Sequence, residues 1–409
     1  MPPPPVSCNA GKEARHLTWF SDSFKEFFRK GDLLLLTLCL AASGFGLLLV
    51  FSATRYLHTN RYVLVQAAAI LMGVIVYIVM SSVDIELFTE RSWKFLLAFN
   101  VLIILALIPF GVGAETTGNK SWIPLPVIPV NVQPAEVAKL TFVLLFAWQC
   151  VKLQEHGISR IPAVAQLVGH TALMCGLIAV ISHDFGMVLT YLFLFVVISW
   201  VAGVKKRWFV LGIGGAAGIT ALVWSHLPSY LTERFTVVID HIIGNPDTIY
   251  DQTMDKGWQQ TRSILAIGSG GLTGQGYLQG IQTQSSSADS LPARYTDEIF
   301  AVCGEEFGLL GCCLLLLLLG CIILRCFWVA RKACSPQSAL IAAGYGGMLL
   351  IQVGVNVGMC LYVFPVVGLT LPFISSGGSS IITMFAAMGI VSGIKMRSLP
   401  SWLRDRSRL

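Results

Sequence analysis

The sequence predicts an all-α polytopic membrane protein, with about ten transmembrane helices and a large extracytoplasmic loop between helices 7 and 8. Three observations carry this. The 409 residues are 55% hydrophobic and only 12% charged, with mean hydropathy +0.72, too little charge for a soluble protein. Apolar runs of bilayer-spanning length recur along almost the whole chain. Two segments between runs, 114–136 and 227–298, are far longer than ordinary connections.

The expected spans are 33–53, 62–82, 93–113, 137–153, 163–181, 184–203, 207–226, 303–328, 338–364 and 380–396. The break at 181–184 is short enough to make its two flanking spans an antiparallel hairpin. Basic residues set the orientation. With the N-terminus in the cytoplasm, 20 of the 28 Lys and Arg residues fall on the inside and Lys139 falls within a span. The positive-inside rule then places both termini in the cytoplasm of a multi-pass plasma-membrane protein and loop 227–298 outside. A net charge of +6 is topology signal of this kind and needs no nucleic acid to explain it.

The chain divides into a cytoplasmic tail (1–31), a membrane domain (32–396) and a short basic tail (397–409). Within the first tail, "HLTWFSDSFKEFFRK" puts aromatic residues on one helical face and charges on the other, the pattern of a helix lying in the inner leaflet. No cleavable leader is expected, because the polar stretch is long and the first apolar run is long enough to span. The 11 cysteines sit mostly in apolar runs without metal-ligand spacing, so they read as core residues.

In loop 227–298, "YLTERFTVVIDHI" has helical amphipathic spacing, and a glycine-rich stretch follows, "GSGGLTGQGYLQG". No Lys-Ser/Thr follows the glycines, so a nucleotide phosphate loop is rejected. Tight interfacial or re-entrant turns with positive φ are expected instead.

Ionisable residues inside spans mark function or need a partner. Glu136 and Lys139 are spaced i, i+3 and share a helix face. Glu136 suits the first helical turn after Pro134. Lys139 either pairs structurally or binds an anionic substrate or a catalytic carboxylate. Asp184 reads as a helix-start residue. In "LPARYTDEIFAVCGEEFG", Thr296 is expected to cap a helix, with Asp297 and Glu298 in its first turn. Asp297, Ala301, Gly304 and Gly308 then line a small-residue groove. Glu305 and Glu306 lie deeper, and at least one must face the protein interior.

The ordered motifs "NKSWIPL", "VQPAEVAKL", "HDFGMVL", "IGSGGLTGQGYLQGIQTQ", "LPARYTDEIFAVCGEEFGLLG" and "NVGMCLYVFPVVGLTLPFISSGGSS" together resemble the SEDS family (shape, elongation, division and sporulation), whose members include RodA, FtsW and SpoVE. The likeness runs from Asp32 to Ile394. "GYLQGIQTQ" and "GNPDTIYDQTMDKGWQQ" look more like RodA, while "GLTLPF" leans to FtsW. The resemblance implies a peptidoglycan glycosyltransferase that polymerises lipid II outside the plasma membrane, with a class B penicillin-binding protein as partner. It implies Asp297 as the catalytic aspartate, Glu136 and Lys139 as a supporting pair, and Trp122 as the motif tryptophan. Arg262 and Arg294 are further candidates for the pyrophosphate, and a Mg²⁺ or Mn²⁺ ion is a candidate cofactor. Family positions are replaced at Ala135, Met187, Ala293, Tyr295, Glu298 and Ser376. A lipid II flippase or ion-coupled carrier is the reading from another class, and a recruiting scaffold is a third.

Overall fold

The structure is a computed structural model describing residues 27–113, 119–124, 131–223, 229–287 and 289–398. Helix α1 (Leu33–Thr54) is capped by Asp32, whose carboxylate accepts from the Leu35 amide. α2 (Arg61–Ser82) and α3 (Ile85–Leu105) follow, α3 capped by Asp84. A two-strand ladder, β1 (Ile123–Pro124) with β2 (Asn131–Val132), precedes α4 (Pro134–Gln154). α5 (Ile161–Leu177) runs through a wide turn at Ile178–Ser182 into α6 (Phe185–Val201), and α7 is Lys206–Val223. The long loop carries α8 (Ser229–Ile243), α9 (Ile249–Met254), α10 (Trp258–Gly270) and α11 (Ile281–Gln284). α12 (Ile299–Lys332), α13 (Pro336–Cys360) and α14 (Gly378–Arg397) complete the chain.

Among the described residues eight helices are long and apolar enough to cross a membrane, and the shorter α6 is apolar throughout. Together with α7 they follow the ten expected spans in order, making this an all-α polytopic membrane protein. α4, α13 and α14 are the most enclosed, while α2 and α3 turn most of their apolar surface outward. α14 lies along α2, and α12 along α13, α10 and α1.

Three differences from the sequence reading have physical causes. The third span begins at Ile85 rather than 93, because Asp84 caps it and Ser92 leaves helical geometry within it; the charges of 86–94 ride on the helix end. The second concerns α12, which begins at Ile299, with Asp297 and Glu298 preceding its first turn. Thr296 does not cap it: its hydroxyl donates to the Ala293 carbonyl (3.2 Å) and its own carbonyl accepts from Ser375 Oγ (2.6 Å). Finally, the apolar run of α12 is broken at Gly308 (φ 64°, ψ −162°).

That break is filled by the glycine run of the long loop. The amides of Gln275 and Gly276 donate to the carbonyls of Glu305 and Glu306 (2.9 and 3.1 Å). In return, the amides of Leu309 and Leu310 donate to the carbonyls of Gly271 and Leu272 (2.9 and 3.1 Å). Helix groups freed inside an apolar environment therefore find partners in the loop. A side chain at Gly308 would meet the backbone of Leu272 at 2.6 Å. Gly271, Gly274 and Gly276 all take positive φ, the turn chemistry expected of this stretch.

The groove beside Gly304 is occupied by α10: a Cβ there would sit 2.9 Å from Ile267. The hairpin at 181–184 is closed by His183 in the left-handed region (φ 55°) and by Asp184, which caps α6. The expected interfacial helix lies mostly outside the described residues. Of it, Phe27–Lys30 is helical, and Phe27 is buried edge-on against Tyr77. Residues 114–118 and 125–130 of the expected loop 114–136, and most of the basic C-terminal tail, also lie outside them.

Candidate active site

Asp297 sits in the turn that enters α12, and its neighbourhood is pinned through the backbone. The carbonyls of Tyr295, Thr296 and Asp297 accept, in turn, from the Ser376 amide (2.8 Å), Ser375 Oγ (2.6 Å) and Asn356 Nδ2 (2.8 Å). Asn356 also donates to the Leu369 carbonyl (2.8 Å), and Ser375 Oγ accepts from the Leu371 amide (2.8 Å). Gln66 of α2 donates to the carbonyls of Ile374 and Ser375 (3.4 and 3.2 Å). Three consecutive carbonyls thus lock the Asp297 segment to loop 369–377 between α13 and α14.

The side chain of Asp297 makes no hydrogen bond or ion pair among the described residues. Surrounding packing strips its water, and the charges of Glu298 and then Asp184 add to the cost of ionising it, so its pKa is pushed up to about 7. Glu298 is fully buried, with Oε1 accepting from Gln259 Nε2 of α10 at 3.0 Å. Burial raises its pKa as well, partly offset by the neighbouring Cys360, Gln259 and Ser263. Tyr295 turns away to Tyr62, ring centroids 4.7 Å apart. Of the two replaced family positions flanking Asp297, Glu298 acts on its carboxyl and Tyr295 packs elsewhere.

A second polar group lies within electrostatic reach. Lys139 Nζ meets Glu136 Oε1 at 3.0 Å with both side chains enclosed, and Thr383 Oγ1 stands 3.5 Å from Glu136 Oε2. The i, i+3 spacing on α4 therefore does form the pair. Lys139 pairs with Glu136 rather than with Asp297. Asp184 connects the two groups: its charge acts on Asp297, and Glu136 and Lys139 act on it. Asp184 is itself held by Gln133 Nε2 (2.8 Å), the Met187 amide (3.0 Å) and Ser121 Oγ (3.5 Å). Ser121 also meets Ser182 Oγ at 2.7 Å. Trp122 follows Ser121, with its backbone bridged to Val112. The segments holding Trp122, Gln133 and Asp184 converge although 51 to 63 residues separate the bonded pairs.

The two arginines differ. Arg294 is buried and spends its guanidinium on the loop: Nη1 donates to the carbonyls of Gln282, Thr283 and Ser285 (3.1, 2.6 and 2.8 Å), and Nη2 to Ser290 Oγ (2.8 Å). The group also lies over the Tyr56 ring, 3.8 Å from its centroid. Arg262, half-buried on α10 one turn after Gln259, makes no hydrogen bond or ion pair among the described residues. Glu305 accepts from the amides of Gln282 and Thr283 (2.7 and 2.8 Å) and Thr283 Oγ1 (2.6 Å). Glu306 accepts from Ser52 Oγ (2.5 Å) and Gln284 Nε2 (3.2 Å). Both face inward and anchor the loop. No group of three His, Cys, Asp or Glu side chains converges as a metal cage among the described residues.

Asn356, Gln66, Ser375 and Gln259 were not anticipated. A signal existed for two of them: Asn356 and Gln66 are amides within largely apolar runs, where a polar side chain needs a partner.

The chain is similar to FtsW of Thiomicrospira cyclica, described as a probable peptidoglycan glycosyltransferase: 33% identity over 88% of this chain and 90% of that one. It is similar to the peptidoglycan glycosyltransferase MrdB of Escherichia coli K12 at 30% identity, over 80% and 83%. Among solved structures it matches a chain of a peptidoglycan synthase complex, studied for how polymerization and crosslinking are coordinated, at TM-score 0.75 and 26% identity, over 91% of this chain and 99% of that one. The profile of the FtsW–RodA–SpoVE proteins, described as cell cycle proteins, matches residues 32–399, and the chain belongs to that family.

Proposed function

We propose that this protein is a peptidoglycan glycosyltransferase that polymerises glycan strands from lipid II, with Asp297 as the general base. The observation that carries the assignment is the contrast within the Asp297 turn: a backbone held at three successive carbonyls, bearing a carboxylate with no hydrogen-bond partner among the described residues. A base must be fixed in place and must keep its lone pairs for substrate. A pKa of about 7 lets Asp297 both take and release a proton near neutrality.

In the proposed reaction the 4-hydroxyl of the incoming lipid II sugar loses its proton to Asp297. Its oxygen forms a bond to the anomeric carbon of the growing strand, and the bond from that carbon to the undecaprenyl pyrophosphate breaks with inversion. The pyrophosphate needs charge neutralisation more than a proton, and of the two candidate arginines Arg262 is the one whose guanidinium is not engaged among the described residues. Arg294 orders the loop above. Glu136, Lys139 and Trp122 support the site through Asp184 and its ligands. A Mg²⁺ or Mn²⁺ ion, in this reading, arrives with the pyrophosphate, and no step is assigned to it.

The bias of basic residues supports both termini in the cytoplasm and the site at the outer surface of the plasma membrane. Similarity to a chain of a synthase complex supports a class B penicillin-binding protein as partner. For the cellular role we favour elongation, on "GYLQGIQTQ" and "GNPDTIYDQTMDKGWQQ", although the matched relatives bear division and sporulation names too. Rescue of a strain depleted of its elongation polymerase, without rescue of one depleted of its division polymerase, tests this.

The break in α12 favours a second reading, a lipid II transporter. Against it, the break is filled and its backbone groups are paired. The protein, purified with its penicillin-binding partner and given lipid II, separates the two. Glycan strands that persist with a β-lactam and vanish in Asp297→Ala support the polymerase. Normal polymer from Asp297→Ala overturns the base assignment, and translocation without polymer supports the transporter.

A further inference from the structure

On the face opposite Asp297, by the alternation of the helices, two turns lie side by side: 155–160 between α4 and α5, and 202–205 between α6 and α7. They are stitched together. Ser159 Oγ accepts from the Lys205 amide and the Ser159 carbonyl from Trp208 Nε1, each at 3.0 Å, and Gln154 Nε2 donates to the Ala202 carbonyl at 2.8 Å. Between them opens a cleft of about 640 Å³ whose lining includes Arg160, Lys205 and Arg207 and no carboxylate. Lys206 stands beside it. None of these four cations has an ion pair among the described residues, whereas Lys152 nearby meets Glu90 at 3.6 Å.

The placement is electrostatically adverse without a ligand. α5 and α7 both begin at the cleft, and neither carries an acid in its first turn. Arg160 and the Lys205–Arg207 run therefore sit at the positive ends of two helix dipoles, where cations are disfavoured and anions favoured. The inside bias of basic residues explains why cations lie on this face. It does not explain three of them converging on one cleft whose lining holds no acid.

The rim gives the second half of the ligand's chemistry. Lys206 Nζ lies 5.7 Å from the Trp200 ring centroid, and the Arg207 guanidinium 5.7 Å from that of Trp208, the aromatic-basic pairing of a membrane interface. Immediately toward the helices, Ile161, Trp200, Val201 and Val210 are all exposed. A ligand filling this place has an anionic head and apolar chains. We propose that the Arg160–Lys205–Arg207 cleft is a binding site for the phosphate headgroup of an anionic phospholipid, with acyl chains running down along Trp200 and Val210.

The test uses the full-length protein in detergent, given equal amounts of phosphatidylglycerol and phosphatidylcholine with matched acyl chains and read by native mass spectrometry. Phosphatidylglycerol should be retained at least about tenfold over phosphatidylcholine. Arg160→Gln/Lys205→Gln/Arg207→Gln should abolish the preference. Arg91→Gln/Lys94→Gln/Lys152→Gln, with the same charge loss, should keep it. Should the first triple variant melt early, Lys205→Gln alone should reduce the preference about fivefold. Equal loss in both triple variants would show a general charge effect and overturn the site. Displacement of phosphatidylglycerol by millimolar inorganic phosphate would show a phosphate site without lipid recognition and overturn the lipid assignment.

Discussion

Asp32 and Asp297 both stand at the entrance of a long membrane helix, at opposite ends of the bundle. Asp32 is saturated: Arg325 Nε and Nη2 approach it at 2.8 and 3.1 Å, Lys395 Nζ at 3.2 Å, and its amide donates to Ser392 Oγ. It fastens α1 to α12 and α14. Asp297 is only half-buried and faces two negative neighbours, and its carboxylate has no donor among the described residues. The same residue type at the same kind of position is a clamp where cations meet it and, in the proposed reaction, a proton acceptor where acids do.

The largest effect expected from that contrast is catalytic. Asp297→Ala should lower polymerisation by about 10²–10⁴-fold while leaving the melting temperature near that of the parent. A large fall in melting temperature would return Asp297 to the clamp class. Asp32→Ala should do the reverse: two cations lose a buried partner, at a cost of roughly 3 kcal/mol, seen as early melting and low yield, with activity per folded molecule retained.

Smaller effects sharpen the comparison. A carboxylate base must be ionised, so the rate should rise with pH through about 7, following Asp297. Glu298 holds that value up by its charge, so Glu298→Gln should move the rising limb of the pH–rate profile to lower pH. An unmoved limb would mean that Glu298 is neutral in the working enzyme. The mildest change expected is Arg262→Gln. It should raise KM by about tenfold or less with little change in kcat if Arg262 binds pyrophosphate equally in ground and transition states. A change in kcat alone would place it in the transition state instead.

What was legible in the sequence was local. The spans, the α8 helix, the i, i+3 pairing of Glu136 with Lys139 and the turn chemistry of the glycine run all depend on neighbours within a few residues. The pinning of Asp297 was not legible, because Asn356 and Ser375 lie 59 and 79 residues away and nothing in their own neighbourhood names their partner. Arg294 shows the limit most clearly. As an exterior cation it looked available for pyrophosphate, yet the carbonyls that use it belong to a turn whose path is set only in the folded chain. The start of α12 was misplaced for a related reason: Thr296 has the chemistry of a cap, but the Ala293 carbonyl competes successfully for its hydroxyl.

The splice of loop 271–276 into the gap of α12 also bears on how this protein can be re-engineered. Glu305 and Glu306 lend their carbonyls to the loop, and Leu309 and Leu310 lend their amides. Neither segment is therefore a portable part. A chimaera that imports a relative's exterior loop while keeping the native helix breaks a four-bond joint inside the bundle. One that imports residues 258–310 as a block carries the joint intact.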